Sequence, residues 1–375
     1  MSVTRRRFGQ LSAGALLLGG LGLRADLSLA ANPRGVALHG ISAFGELKYA
    51  PDFTHFGYVN PDAPKGGEMN FSVPNWAFNQ NPQTFNTLNT FVQKGDAPPR
   101  MELCYDALMF AVSDEPSSLY GMLAETVTIS EDGNTFTFAM RPEARWHDGT
   151  PITADDAAWT LMTFKADGHP SLLLALTEMA SAEAPDSSTL IVTFTGRQSA
   201  QAVLTLAAMP ILSKTWHEAN PFADATMERP LTSGAYKPGL VNPGQSIVYE
   251  RVEDYWARDL PFAQGRNNFD RIRIDFYRER QAAFEAFKKG DITYRQEFTS
   301  KAWATEYGFP AVEEGKVVVT TFDAETVPSM QAWALNTRRD KLSDPRTREA
   351  IGLAFDFDWT NDNLFYGAYA RADSV

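Results

Sequence analysis

The residue types that could support metal-dependent chemistry are few in this sequence. It has one cysteine, Cys104, and five histidines: His39, His55, His147, His169 and His217. No two of these histidines are four residues apart, and none lies beside the cysteine, so the spacing of a zinc site is missing. The sequence therefore predicts no metal site and no cofactor.

Motifs for nucleophilic catalysis and for phosphate binding are also missing. There is no G-x-S-x-G motif and no G-x-x-x-x-G-K loop. Aspartate and glutamate are abundant, and the spatial separation of two carboxylates decides whether they can act together in hydrolysis. We therefore expect that the chain is not an enzyme, with a paired-carboxylate hydrolase as the alternative.

The first thirty residues have the pattern of a cleavable export signal. Arg5, Arg6 and Arg7 precede an apolar run over 11–23, which is too short to span a bilayer, and Ser28-Leu29-Ala30 fits a cleavage site. The stretch 4–8 resembles a twin-arginine signal, and an ordinary secretory signal is the alternative. Because Cys104 lies far from this segment, we expect a periplasmic protein without a lipid anchor.

Charge and composition narrow the class of partner. The formal net charge of −12 disfavours binding to nucleic acid or to an anionic membrane. Hydrophobic residues make up 44% of the chain and aromatic residues 12%, which predicts large packed cores. The length predicts roughly two domains.

The elements that must position any site alternate between strand and helix patterns. Thr153-Ala154-Asp155-Asp156 combines a capping hydroxyl with carboxylates and predicts the start of a helix. We expect a hairpin over 125–141, strands at 68–73, 189–195, 246–251, 271–277 and 317–322 and at Ile292, helices at 99–109, 199–208 and 280–288, and a long loop at 75–94. This mixture predicts a mixed α/β architecture.

Several short phrases occur in an order that is typical of one family. The most specific run joins LAET at 123–126, DGNTFTF at 132–138 and RPEARWHDGTPITADD at 141–156. Together with TSGAY, KGDI and ALNT further along the chain, these phrases resemble the family 5 extracellular solute-binding proteins, the dipeptide-, oligopeptide- and nickel-binding group. The stretches 39–45, 58–67 and 85–89 are similar to the branch that binds oligopeptides and the peptide-nucleotide microcin C.

The resemblance implies a periplasmic binding protein type II-like fold with two lobes, an extra subdomain in lobe one and a truncated second lobe. The boundaries that it suggests are a signal at 1–30, the first part of lobe one at 31–110, the subdomain at 111–230, the second part of lobe one at 231–325, and the start of lobe two at 326–375. Closure of two such lobes on a ligand creates a shape that a permease can recognise.

The function that the resemblance implies is the capture of oligopeptides or peptide-like compounds for an inner-membrane ABC permease, by a monomer. Binding of another solute on the same fold, such as a dipeptide, a nickel complex, a murein peptide or a sugar, is an alternative because a fold does not fix its ligand. A periplasmic binder coupled to a chemoreceptor, or a chaperone-like binder without an importer, is another.

Peptide capture requires main-chain hydrogen bonding, charge partners and aromatic walls. The expected ligand-binding residues lie in the long first loop (Trp76, Asn79, Asn86 and Phe91) and in the stretch that resembles the family's crossing between lobes (Trp333 and Asn336). For each of the three aromatic residues, Trp76, Phe91 and Trp333, core packing is the alternative. The resemblance places the acidic partner of a peptide amino group beyond residue 375.

Overall fold

The chain forms both strands and helices, which confirms the predicted mixed α/β class. The structure, a computed structural model, describes residues 29, 31–73, 84–322 and 332–371. The proposed division at 30, 110, 230 and 325 stays a prediction.

The strands of the described residues form three sheets. Their bounds in chain order are β1 (Ala37–Leu38), β2 (Gly40–Ser42), β3 (Glu68–Ser72), β4 (Met109–Ala111), β5 (Ser118–Gly121), β6 (Ala124–Ile129), β7 (Thr135–Met140), β8 (Met179–Asp186), β9 (Thr189–Phe194), β10 (Tyr236–Asn242), β11 (Ser246–Arg251) and β12 (Arg271–Asp275). The spatial orders are β1-β6-β7-β9-β8, β10-β11-β12-β3 and β2-β5-β4.

The helices are mostly short. Their bounds are α1 (Ala154–Asp167), α2 (Pro170–Leu176), α3 (Ala200–Ala207), α4 (Lys214–Ala219), α5 (Arg280–Lys289), α6 (Ser300–Thr305), α7 (Pro310–Glu313), α8 (Asp340–Ser343), α9 (Pro345–Leu353) and α10 (Phe357–Leu364). Within the described ranges, none of the helices combines the length and the apolar character that crossing a membrane requires.

The predicted hairpin is confirmed as β6 and β7 of the five-stranded antiparallel sheet. Phe136 and Phe138 are fully buried, whereas Thr135 and Thr137, which alternate with them, are only partly covered. This alternation follows from the two-residue period of a strand, which sends successive side chains to opposite faces. The hydrophobic pattern therefore fixes which face of this sheet meets the core.

Helix α1 begins where its capping residues predict. The Asp156 N–H donates to Thr153 Oγ1 at 3.3 Å, and the Thr153 N–H donates to Asp156 Oδ2 at 2.9 Å. An N-terminal cap of this kind contributes about 1 kcal/mol. From this start, Ala157, Leu161 and Phe164 face the main hydrophobic core, beside β8 and β9.

The four-stranded sheet brings distant parts of the chain together. Strand β3 pairs in parallel with β12, so that Glu68 lies opposite Arg271, which is 203 positions later. The other neighbours in this sheet pair antiparallel. A parallel pair requires a long connection, and here four of the five strands of the five-stranded sheet, β6 to β9, lie within that connection.

The turn at 146–150, part of the most specific family phrase, is structural. Trp146 is buried in the main core, and the His147 ring is 2.7 Å from the Gly234 carbonyl oxygen. Gly149 has a φ of +86°, which a residue with a side chain rarely adopts, and the Thr150 N–H donates to Asp148 Oδ1 at 2.9 Å. This motif therefore holds the entry to α1 in place.

The prediction of a helix at 99–109 is wrong. Only Met101–Cys104 forms a short 3-10 helix, and strand β4 begins at Met109. The reason lies at Asp106, whose N–H donates to Ser233 Oγ at 3.1 Å and whose carboxylate accepts from Tyr255 and Trp256. These distant partners outweigh the local helical pattern.

The strands expected at Ile292 and at 317–322 are also wrong, since neither stretch forms a strand in the described structure. Ile292 instead packs with Phe284 and Phe287, just after α5 ends at Lys289. Val318 and Phe322 are 84% and 86% exposed, so apolar alternation in this stretch does not mark a buried sheet face.

Candidate functional site

A cavity of about 740 Å³ lies where strands β3 and β12 meet the segments 90–103 and 277–298. Its apolar lining includes Phe71, Leu103 and Ile272, and charged side chains share the wall. Pockets of roughly 300–1,000 Å³ with an apolar lining and a few polar groups are typical of small-molecule sites. This cavity is the candidate ligand site.

Phe91 lies both in the core and on the cavity wall. It is only 7% exposed, and its ring centroid lies 5.2 Å from those of Tyr105 and Phe164. The Phe91 carbonyl accepts the His169 N–H at 2.7 Å, which ties its loop to the start of α2. Phe91 therefore offers a ligand a surface that packing holds rigid.

Asn86 closes the loop that carries Phe91. The Asn86 N–H donates to the Asp96 carbonyl at 2.9 Å, and the Asp96 N–H donates to Asn86 Oδ1 at 2.8 Å. A Cβ at Gly95 would lie 2.8 Å from the same Asn86 oxygen, so a glycine is required for this closure. The exposed Asn86 side chain thus shapes the wall without lining it.

The edge of β3 presents main-chain groups beside the cavity. On the side away from β12, the Asn70 carbonyl accepts N–H bonds from Thr293 and Tyr294 at 2.9 and 3.1 Å. Main-chain groups alternate sides along a strand, so the N–H and C=O of Ser72 point to that same side. Neither group has a partner among the residues that the structure describes, and we call this stretch the open edge of β3. Ser72 lines the cavity, and an extended peptide could pair there.

A buried ion pair stabilises another part of the cavity wall. Arg295 and Glu297 are 8% and 2% exposed, and Arg295 Nη2 lies 2.9 Å from Glu297 Oε2. Burial alone raises the pKa of the Glu297 carboxyl, but the Thr299 N–H bond and the charge and hydrogen bonds of Arg295 outweigh it and hold the pKa below its usual range. The pair is therefore charged and fixed in place.

The predicted site residues are found in different surroundings. Trp76 and Asn79 lie outside the described residues. Phe91 lines the cavity and Asn86 supports its loop. Trp333 is 87% exposed, and the exposed Asn336 accepts the Arg338 N–H with its own Oδ1 at 3.1 Å. Phe91 thus lies on the cavity wall and Asn86 behind it, and the role of all six residues in ligand binding stays a prediction.

Sequence analysis missed the charged wall formed by Arg280, Arg295 and Glu297. A signal was present, because opposite charges two residues apart in an extended segment lie on one side. Their convergence on a cavity depends on the pairing of β3 with β12, which is not visible locally.

Metal-binding groups do not converge in the described ranges, where three or more His, Cys, Asp or Glu side chains nowhere form a set that could hold an ion.

Comparison with known families gives the class of protein. A model described as bacterial extracellular solute-binding proteins, family 5, middle region, matches residues 118–375. The chain belongs to this family. The family consists of binding proteins, which supports binding over the hydrolase alternative.

Curated relatives place the chain near the predicted branch. The chain is 37% identical over 344 residues to "Probable peptide-binding protein YejA" of Agrobacterium fabrum, with 89% of this chain and 55% of the relative covered. It is 36% identical over 362 residues to the "Peptidoglycan-binding protein YepA" of the same organism, with 91% and 58% covered. The chain therefore spans a little over half the length of these relatives.

Solved structures confirm the predicted type II periplasmic binding protein fold. The oligopeptide-binding protein AppA of Bacillus subtilis, solved with a nonapeptide, superposes with a TM-score of 0.56 at 19% identity. The match covers 83% of this chain and 58% of the other. At this identity the likeness shows the fold alone.

Proposed function

We propose that this protein binds peptides or peptide-like compounds in the 740 Å³ cavity and delivers them to an inner-membrane ABC permease. It acts as a periplasmic monomer, reaches the periplasm through a cleavable twin-arginine signal and carries no lipid anchor. Trp333 and Asn336, with Trp76 and Asn79, complete the ligand contacts.

The observation that carries the proposal is the combination of three surfaces in one cavity. Phe71 and Phe91 supply apolar area that tolerates many side chains, and the open edge at Ser72 supplies main-chain hydrogen bonds. The charged wall can meet the charges of a ligand. A peptide offers matching groups to all three surfaces.

The identity of the natural ligand tests this proposal. Protein purified under native conditions should release short peptides or peptide derivatives when it is denatured, and mass spectrometry of the released material would identify them. Ala97 lines the cavity, so Ala97→Trp should fill part of it and reduce the ligand carried several-fold.

Ala50→Trp, at an exposed position that does not line the cavity, is the matched control and should leave ligand occupancy unchanged. Release of a sugar or a metal complex in place of peptides would refute the proposed ligand class. Equal occupancy in the Ala97 and Ala50 variants would place the site elsewhere.

A second ligand in the same class is a peptide derived from cell-wall murein. One relative at 36% identity is named for binding peptidoglycan, whereas another at 37% is named for binding peptides. The same mass spectra distinguish the two, because murein peptides contain amino acids that ribosomal peptides lack.

A further inference from the structure

Six charged side chains line the cavity, and most of them are paired. Arg295 forms its buried ion pair with Glu297, and Arg100 Nη1 lies 3.3 Å from Glu102 Oε1. The two that remain are Glu279 and Arg280, at the start of α5. Two of the three arginines that line the cavity are therefore already compensated by the protein.

Arg280 has no ion-pair partner in the described chain, because no carboxylate oxygen of those residues lies within 4 Å of it. Its Nη1 donates to the neutral hydroxyl of Thr299 at 2.5 Å. That hydrogen bond orients the guanidinium and leaves its charge available.

Thr299 is itself held by the buried ion pair. Its N–H donates to Glu297 Oε1 at 2.9 Å, and Glu297 also accepts from Arg295. The chain of contacts from Arg295 through Glu297 and Thr299 thus fixes the position of Arg280. Glu297 is a positioning residue, and its own charge is already used by Arg295.

Glu279, the neighbouring acid, is less suited to hold a ligand group. Its exposed side chain makes no capping hydrogen bond and forms no ion pair with any residue that the structure describes. A side chain without such contacts must lose more conformational freedom on binding than one that is already oriented. Arg280 is therefore the preorganised charge of this wall.

We propose that Arg280 binds a carboxylate of the ligand, so that the cavity selects peptides with a free carboxylate. This inference rests on the proposed peptide-binding function. A guanidinium is suited to the task because its planar N–H groups match the two oxygens of a carboxylate.

Calorimetric titration of the purified protein with three synthetic peptides tests the inference. The probes are trialanine, trialanine amide, and Ala-Glu-Ala amide, in which the only carboxylate is on the side chain. Wild type should bind trialanine about tenfold more tightly than its amide, the scale of one charge-assisted hydrogen bond. Arg280→Gln should remove this difference, because it should weaken the binding of trialanine and leave the binding of trialanine amide unchanged.

Three controls test whether the preference depends on the position of the arginine, on the geometry of its guanidinium and on the source of the carboxylate. Arg278→Gln removes an exposed arginine that does not line the cavity and should leave the preference unchanged. Arg280→Lys keeps the charge without the planar geometry and should retain part of the preference. Ala-Glu-Ala amide shows which carboxylate of the ligand Arg280 can bind. If it binds as tightly as trialanine, a side-chain carboxylate is accepted. If it binds only as weakly as trialanine amide, the C-terminal carboxylate is required.

Two outcomes would overturn the inference: an unchanged preference for the acid in Arg280→Gln, or no preference in wild type. If wild type binds none of the three peptides, the proposed peptide-binding function fails and this inference fails with it. Binding of all three with equal affinity would reject Arg280 alone and leave the proposed function standing.

Discussion

The carboxylate of Glu297 accepts hydrogen bonds from the N–H groups of Phe298 and Thr299, from the Arg295 guanidinium and from the Tyr307 hydroxyl. At the residue scale, this one group holds the segment that forms the charged wall. The guanidinium of Arg295 also lies 4.9 Å from the centre of the Phe284 ring, which joins the wall to the smaller hydrophobic core behind it. Removing one member of a buried pair leaves a buried charge without a partner, which typically costs about 3–5 kcal/mol.

Asp106 is a second buried carboxylate, and its protonation changes near neutral pH. Burial raises the pKa of Asp106 to about 7, even though Trp256 and Tyr255 donate hydrogen bonds to it. An unfolded aspartate releases its proton near pH 3.8. Between these two values the folded state binds more protons, so the free energy of unfolding falls as the pH rises.

We predict that the Asp106 contribution to stability is fully present below about pH 3.8 and is lost as the pH rises through about 7. Asp106→Asn should remove this slope, because an amide can accept from Trp256 and donate to the Tyr255 hydroxyl without titrating. Urea unfolding at pH 4.5, 6 and 8 measures the difference.

The matched control is Asp259→Asn, at a side chain that is 88% exposed, and it should unfold with the pH dependence of wild type. An Asp106→Asn variant with the wild-type slope would show that another group titrates.

At the element scale, the correct predictions rest on local chemistry. The start of α1 was predicted because Thr153 and Asp156 are three residues apart and cap each other. The helix expected at 99–109 failed because Ser233 and Tyr255, more than a hundred positions away, bind Asp106. The same division applies to the site: the aromatic loop around Phe91 was visible in the sequence, whereas the charged wall depends on long-range pairing of strands.

The N-terminal segment carries the prediction for export. Replacing both Arg5 and Arg6 by Lys should strand the precursor in the cytoplasm, because the twin-arginine receptor reads the paired arginines and not charge alone. Cell fractionation followed by immunoblotting measures the periplasmic share. The single replacement Arg24→Lys, outside the pair, is the control; undiminished periplasmic protein in the double variant would indicate the ordinary secretory route.

At the scale of the whole molecule, the family and the fold class were predicted from sequence motifs that form turns and helix starts. Trp146, Gly149 and Thr153 form a turn and a helix start, and such local constructions can be read from sequence. The position of the cavity could not be read in this way, because it forms where β3 meets β12 and Glu68 lies 203 positions from Arg271. Sequence therefore identified the class of protein, and the structure located the surface on which the proposed function depends.

The central claim is that an extended peptide binds in the cavity along the open edge of β3. Calorimetric titration of one tripeptide into wild type, Ser72→Ala and Ser72→Pro tests it most directly. Alanine keeps the main-chain N–H, whereas proline removes it, and this N–H points away from β12, so the sheet should tolerate the change. The account predicts wild-type affinity for Ser72→Ala and about tenfold weaker binding for Ser72→Pro, the scale of one lost hydrogen bond. Wild-type affinity in a folded Ser72→Pro variant would contradict the account.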